Sequence, residues 1–194
     1  MNTAFKLVLL GESAVGKSSV VARFMSGNFS SEEPPTIGAA FYRTKIDLPD
    51  DKSIDFELWD TAGQEQYSCL TPVYYRDADA ALVVYDITKW DSFERAKRWV
   101  RELREQLSHD VVLCIIGNKL DLETSRVVSR HEADIFAEEN ECLFMEGSAL
   151  SGLNIKETFI EISNNLPDRP IVNCKDLLSN TVNLTGNSSG GCSC

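Results

Sequence analysis

Residues Phe5-Lys6-Leu7-Val8-Leu9-Leu10-Gly11-Glu12-Ser13-Ala14-Val15-Gly16-Lys17-Ser18-Ser19 decide how the chain is read. An apolar run of strand type leads into Gly-x-x-x-x-Gly-Lys-Ser, and a helix opens at Lys17. Strand, glycine loop and helix in that order are the context a phosphate-binding loop requires. Gly11 and Gly16 allow a tight turn that aims backbone N–H groups inward, and the helix N-terminus adds a potential favourable to anions. Lys17 has the reach for β- and γ-phosphates, and the Ser18 hydroxyl can ligate Mg²⁺. The loop alone does not choose the nucleotide, since ATPases and small-molecule kinases share it.

Outward from this loop, short apolar runs alternate with longer amphipathic stretches, the pattern of a parallel sheet covered by helices. Strands are expected at Phe5–Leu10, Phe41–Leu48, Ser53–Asp60, Ala80–Asp86, Val111–Asn118 and Cys142–Glu146. Pro49-Asp50-Asp51 supplies turn chemistry between the second and third, which are therefore expected to form an antiparallel hairpin. Helices are expected to start near Lys17, Gln66, Ser92, Ser129 and Asn154. Phe93, Ala96, Val100, Leu103 and Leu107 fall on one face of the third, and Ile155, Phe159, Ile162 and Leu166 on one face of the last. A serine or asparagine precedes each and can cap it. The fold class is α/β: a P-loop NTPase with a six-stranded, mostly parallel sheet and helices on both faces.

Asn118-Lys119-Leu120-Asp121, after the fifth apolar run, selects the base. A carboxylate at Asp121 accepts two parallel hydrogen bonds from the N1 and N2 donors of guanine. Adenine lacks that pair, and a buried carboxylate left unpaired costs several kcal/mol. Asp60-Thr61-Ala62-Gly63-Gln64 follows the third strand. Asp60 can hold Mg²⁺ through water. Gly63 offers a backbone N–H to the γ-phosphate, and Gln64 can orient the attacking water. Thr36, after Pro34-Pro35, can close over the ion and the γ-phosphate. The catalytic candidates are thus Gln64, Lys17 and Gly63.

The chain has 194 residues and a mass of 21.6 kDa, suited to one domain with a short appendage. Acidic residues outnumber basic ones 30 to 19, a formal charge of −11, which speaks against a phosphate-tracking surface for nucleic acid. There is no apolar run long enough to span a membrane and no signal-peptide pattern at the N-terminus, so a cytosolic setting is expected. The scattered cysteines Cys69, Cys114, Cys142 and Cys174 form neither a disulfide framework nor, with only His109 and His131, a zinc site. Cys114 lies in an apolar strand and is expected to be inert core. From Pro167 onward Asn, Ser and Gly dominate, so residues 1–166 are expected to form the domain and 167–194 a flexible tail.

Together these motifs resemble the Ras superfamily and, within it, the Rab family of small GTPases, over about residues 4–166. Thr36-Ile37-Gly38-Ala39-Ala40-Phe41, Leu58-Trp59-Asp60-Thr61-Ala62-Gly63-Gln64-Glu65, Tyr74-Tyr75-Arg76 and Val84-Tyr85-Asp86-Ile87-Thr88 are similar to Rab-specific segments. Ile37-Gly38-Ala39-Ala40-Phe41, Gly11-Glu12-Ser13-Ala14 and Phe144-Met145-Glu146 resemble the early-endosomal subgroup most. The resemblance implies that Ser13, Ala14, Val15, Gly16, Lys17, Ser18 and Ser19 line the phosphates, with Pro35, Thr36 and Gly63 beside them. Phe29 is implied to stack on the guanine. Asn118, Lys119, Asp121 and Leu122 are implied at the base with Ser148, Ala149 and Leu150, where Ser148-Ala149 offers a backbone N–H to O6. Ser18, Thr36 and, through water, Asp60 form the implied Mg²⁺ site. Ile37, Phe41, Trp59 and Tyr74 are implied to face effectors, and Phe41 and Trp59 can pack as sheet aromatics at the same time.

Five positions depart from the family pattern. Leu150 stands where a lysine is common, Gly147 for threonine, Gln66 for arginine, Cys69 for a small polar residue and Asp77 for glycine. Gln66, Cys69 and Asp77 lie in or beside the second switch, which bears on the choice of effector and exchange factor. The ending Cys192-Ser193-Cys194 resembles a doubly geranylgeranylated Rab terminus, and two prenyl chains would anchor durably where one binds marginally.

The expectation is a GTP/GDP switch that hydrolyses GTP slowly and faster with an activating protein. It needs Mg²⁺ and guanine nucleotide. The implied partners are effectors, an exchange factor, a GDP-dissociation inhibitor, prenylation escort machinery and the cytoplasmic face of endomembranes, the early endosome first. No nucleic-acid partner is expected. The rival readings are a P-loop kinase or ATPase, a GTP-binding scaffold with negligible hydrolysis, and a Rab of another compartment.

Overall fold

The computed structural model describes residues 4–30, 34, 36–48, 53–63, 71–107 and 111–167, without the side chains of 71 and 72. Its strands are β1 (Phe5–Leu10), β2 (Ala39–Asp47), β3 (Ser53–Thr61), β4 (Ala80–Asp86), β5 (Val112–Asn118) and β6 (Leu143–Glu146). They form one sheet in the order β2-β3-β1-β4-β5-β6. β2 and β3 run antiparallel from Ala39 opposite Thr61 to Asp47 opposite Ser53, and the other neighbours pair parallel. The helices are α1 (Lys17–Ser26), α2 (Thr71–Tyr75), α3 (Trp90–Gln106), α4 (Arg130–Glu139) and α5 (Ile155–Asn164).

Side-chain alternation along β1 shows why the sheet is covered on both sides. Leu7 and Leu9 pack with Val20 and Val21 of α1 and with Phe159 and Ile162 of α5. Val8 and Leu10 join the opposite core, with Tyr75 of α2, Phe93, Ala96 and Val100 of α3, and Ala133, Phe136 and Ala137 of α4. Every residue of β4 is buried, as expected of a central strand with helices on both faces. Phe24 of α1 stacks on Phe159 of α5 with centroids 3.8 Å apart, fixing these two helices against each other. Cys114 is fully buried, and burial pushes its thiol pKa up, as an inert core residue requires.

Some local expectations change. Leu120–Ser125 is a 3₁₀ helix, too short to show a periodic pattern in the sequence. Of the three expected caps, only Ser129 acts as one, accepting from Glu132 N at 3.2 Å. Asn154 adopts φ 58° and turns its amide to Glu146 O at 2.7 Å. Ser92 lies inside the first turn of α3, where its hydroxyl accepts from Asp86 N and donates to Lys89 O. In both cases the side chain bonds backbone groups a few residues earlier in the chain instead of capping the helix. Asp77 has φ 58°, a left-handed conformation for which the glycine of the family pattern has no steric penalty. Pro49-Asp50-Asp51, and the helix start near Gln66, lie outside the described residues.

Because β1, β3, β5 and β6 run parallel, the segments that follow them emerge at one end of the sheet. Residues 11–16, 61–63, 119–122 and 147–150 converge there, at the carboxyl ends where open α/β sheets bind ligands.

Candidate functional site

The phosphate-type loop takes its shape from backbone constraints. Gly11 and Gly16 have φ of 145° and 98°, and between them Ala14 is left-handed at 62°. A Cβ on Gly11 would meet Val84 O at 2.3 Å, and one on Gly16 would meet Asn118 Nδ2 at 2.4 Å. Both positions therefore need glycine for space as well as for φ. A cleft of about 180 Å³ opens above the loop, lined by Ser13, Ala14, Gly16, Lys17, Ser18, Ser19, Pro34, Thr36, Thr61 and Gly63.

Lys17 is buried at the start of α1 and donates from Nζ to Gly11 O and Glu12 O, both at 2.9 Å. Burial pulls its pKa down to about 8, while the carboxylates of Asp60 and Glu12 hold it up. A cation buried mainly on carbonyls is poorly compensated and is well placed for an anionic ligand.

Three oxygens meet beside it. Ser18 Oγ donates to Asp60 Oδ2 at 2.6 Å and lies 2.9 Å from Thr36 Oγ1, which is 3.3 Å from the same carboxylate oxygen. This all-oxygen set of two hydroxyls and a carboxylate fits a hard cation such as Mg²⁺. Thr36 and Asp60 come from separate segments, which are also joined by Ala62 N donating to Gly38 O at 2.8 Å. Gly63 lies so close to the loop that a Cβ would meet Glu12 C and Ser13 N at 2.5 Å. Gln64 and Pro35 lie outside the described residues.

The second half of the site is a braced pair of loops. Asn118 Nδ2 donates to Val15 O at 2.8 Å, and its Oδ1 accepts from Ala149 N at 3.1 Å. Lys119, left-handed at φ 69°, reaches Ala14 O at 3.0 Å and forms an ion pair with Asp86 at 2.7 Å. Burial would raise the Asp86 pKa, but bonds from Lys119 and Thr88 outweigh it and hold the carboxyl below its ordinary value. Asp121 is exposed here rather than buried as expected, because the short 3₁₀ helix that carries it lies at the surface, and it accepts at Oδ1 from the hydroxyl of buried Ser148. The N–H groups of Ser148 and Ala149 are engaged by Leu153 O at 3.0 Å and by Asn118, so a base oxygen there would share the Ala149 donor. Leu122 and Leu150 are exposed at the rim, and Phe29 lies exposed beyond the C-cap of α1. Gly147 has Leu153 O in the way of a Cβ at 2.8 Å, so a larger residue there needs the loop to shift.

On the sheet edge Phe41 meets Trp59 edge-on at 5.1 Å, and Trp59 lies 6.1 Å from Tyr74. Ile37 is 82% exposed, and Phe41 is exposed while it packs against Trp59. Cys192 and Cys194 lie outside the described residues.

Three residues at the site were given no individual role by the sequence reading. Arg23 donates to Ala149 O, Leu150 O and Gly27 O. Arg126 pairs with Glu146 and Glu123, tying the 3₁₀ helix that carries Asp121 to the end of β6. Asp86 anchors Lys119. Their partners are distant in sequence or depend on the path of a loop, so no local pattern announces them.

Comparison with known proteins agrees with this geometry. The pattern of the Ras family matches residues 6–168. The Ras-related protein Rab-5A of Dictyostelium discoideum is 55% identical over 166 residues, covering 86% of this chain and 82% of the relative.

Proposed function

The chain belongs to the Ras family and is a Rab-type GTPase, and from that premise we propose how its site binds, turns over and signals. As a GTP/GDP switch it hydrolyses GTP to GDP and phosphate. Ser13 to Ser19 cradle the phosphates, and Lys17 presents its charge to them from the floor of the cleft. Ser18 and Thr36 would hold Mg²⁺, with Asp60 assisting through water. The bound ion supplies charge neutralisation at the phosphate oxygens. Asp121, oriented by Ser148, reads guanine, with Asn118, Lys119, Leu122, Ala149, Leu150 and Phe29 completing the base site. Gly63 approaches the γ-phosphate, and Gln64 orients the attacking water.

The observation that carries this reading is the meeting of Ser18, Thr36 and Asp60 within 3.3 Å. Thr36 belongs to the segment before β2, and Asp60 leads directly to Gly63. A γ-phosphate at this junction would add its own hold on both segments, and the order it imposes on the loops around Thr36 and Gln64 would be lost when it leaves. Ile37, Phe41, Trp59 and Tyr74 sit between them and expose that state to effectors.

We assign residues 1–166 to the GTPase domain, and Cys192 and Cys194 of the remaining segment to prenylation. The protein cycles between the cytosol and the cytoplasmic face of early endosomes, serving endocytic membrane traffic with an exchange factor, an activating protein, a GDP-dissociation inhibitor and a prenylation escort. Among the described residues no helix is long and apolar enough to cross a membrane.

The test is to identify the nucleotide that co-purifies with the full chain and to follow phosphate release in a single turnover. Guanine nucleotide with Mg²⁺-dependent release of phosphate supports the reading. An adenine nucleotide, or tight GTP binding without release, overturns it. Early-endosomal staining that is lost when Cys192 and Cys194 are both changed to Ser tests the anchor, and staining of another compartment rejects the placement.

A further inference from the structure

Arg23, in the last turn of α1, spends its guanidinium on three main-chain carbonyls. Nε donates to Ala149 O at 2.7 Å, Nη2 to Leu150 O, and Nη1 to Gly27 O at 2.5 Å. The side-chain stem passes over Gly152, where an added Cβ would lie 3.5 Å from Arg23 Cδ. Donors in a rigid planar fork suit several fixed acceptors at once, which a lysine cannot match. Other bonds in the 147–153 loop satisfy its N–H groups: Ser148 N to Leu153 O, Gly152 N to Ser148 O, and Ser151 N to Ser148 Oγ. Arg23 meets the complementary need, the outward carbonyls of Ala149 and Leu150. Its third bond grips the glycine from which the chain departs toward Thr36.

We propose that Arg23 is a positioning residue for nucleotide retention, stapling the base-reading loop to the helix that carries Lys17 and Ser18. It rests on the placement of guanine beside Asp121 and Ser148 given above. Releasing the staple lets the Ala149-Leu150 turn move away from α1. Ser148 and the carboxylate it orients then move with the turn, while the phosphate loop keeps its own bonds. Arg23 touches no nucleotide; it acts through the loop.

Full-length protein loaded with a fluorescent GDP analogue is chased with excess unlabelled nucleotide, for wild type, Arg23→Ala and Arg23→Lys. Loss of charged hydrogen bonds worth one strong contact accelerates release about tenfold in Arg23→Ala. Inosine diphosphate lacks the 2-amino donor that Asp121 accepts, so competition with it reads the base contact alone. The preference for GDP over inosine diphosphate falls in Arg23→Ala and is partly restored in Arg23→Lys. Unchanged release, or equal acceleration for both nucleotides with a lowered melting temperature, overturns the proposal and leaves only a structural role. If wild type binds GDP no better than inosine diphosphate, the guanine reading itself fails, and this inference falls with it.

Discussion

Asn118 and Val15 are joined across 103 residues of chain, the amide Nδ2 of one donating to the carbonyl of the other at 2.8 Å. Because Asn118 Oδ1 also accepts from Ala149 N, one side chain bridges the phosphate loop and the Ala149 turn, beside the links of Lys119 to Ala14 O and of Arg23 to Ala149 O. Asn118 is 1% exposed, so neither partner would find water if it were removed. Asn118→Ala leaves a buried carbonyl and a buried N–H unpaired, at about 1–3 kcal/mol each. GDP affinity is expected to drop by roughly two orders of magnitude, with a lower melting temperature. Titration with GDP and thermal unfolding of the same preparation check both, and near-normal affinity would show that the two loops hold their spacing without it.

Lys17 makes the nucleotide-free protein pH-dependent. Its folded pKa is about 8 against an ordinary 10.5, with burial the main cause. The unfolded chain binds the proton more tightly, so between these values stability rises with pH, and below pH 8 the full burden of the buried charge remains. Denaturant unfolding of nucleotide-free protein from pH 7.5 to 10 should show this upward contribution, and Lys17→Met should flatten it. A wild-type stability that matches the variant's trend across this window would refute the assignment.

Gly63 and the phosphate loop are in near contact, with Glu12 C and Ser13 N at 2.5 Å from an added Cβ. Gly63→Ala must push the 61–63 segment outward while leaving Asn118, Asp121 and Lys17 untouched. Hydrolysis in a single turnover is expected to slow at least tenfold with GDP affinity changed less than threefold, about the asymmetry that a transition-state contact produces. Equal losses in both would place Gly63 in nucleotide binding instead.

Asp77 occupies the left-handed region at φ 58° without needing a side chain there. Asp77→Gly relieves that strain, and part of the gain is returned as chain entropy in the unfolded state. A net stabilisation of roughly 0.5–1 kcal/mol is expected, a rise in melting temperature of about 1–4 °C. A fall in melting temperature would mean that the carboxylate's attraction to nearby Lys6 outweighs the strain.

The strands and the chemistry-bearing motifs were legible because each is a local matter. The alternation around β1 and the unbroken apolar run of β4 follow from which faces are covered. The glycines at 11 and 16 announce a loop whose conformation few other residues tolerate. β2 and β3 came out antiparallel, as the turn chemistry between them led one to expect. Less legible were the helix starts, where Ser92 and Asn154 bond backbone groups of the preceding loop in place of capping, and the 3₁₀ helix at Leu120–Ser125.

From the order of its residues alone, the chain declared an α/β sheet, a phosphate loop and an acid suited to guanine, since backbone preference and functional-group chemistry reside in short stretches. Only the folded arrangement decided that Arg23 braces Ala149 and Leu150, that Arg126 grips Glu146, and that Lys119 divides its ammonium between Asp86 and Ala14. Such links depend on which surfaces meet when helices pack on the sheet. A hydrogen bond forms only within a few tenths of an ångström of its proper length, and that spacing is set by the whole core.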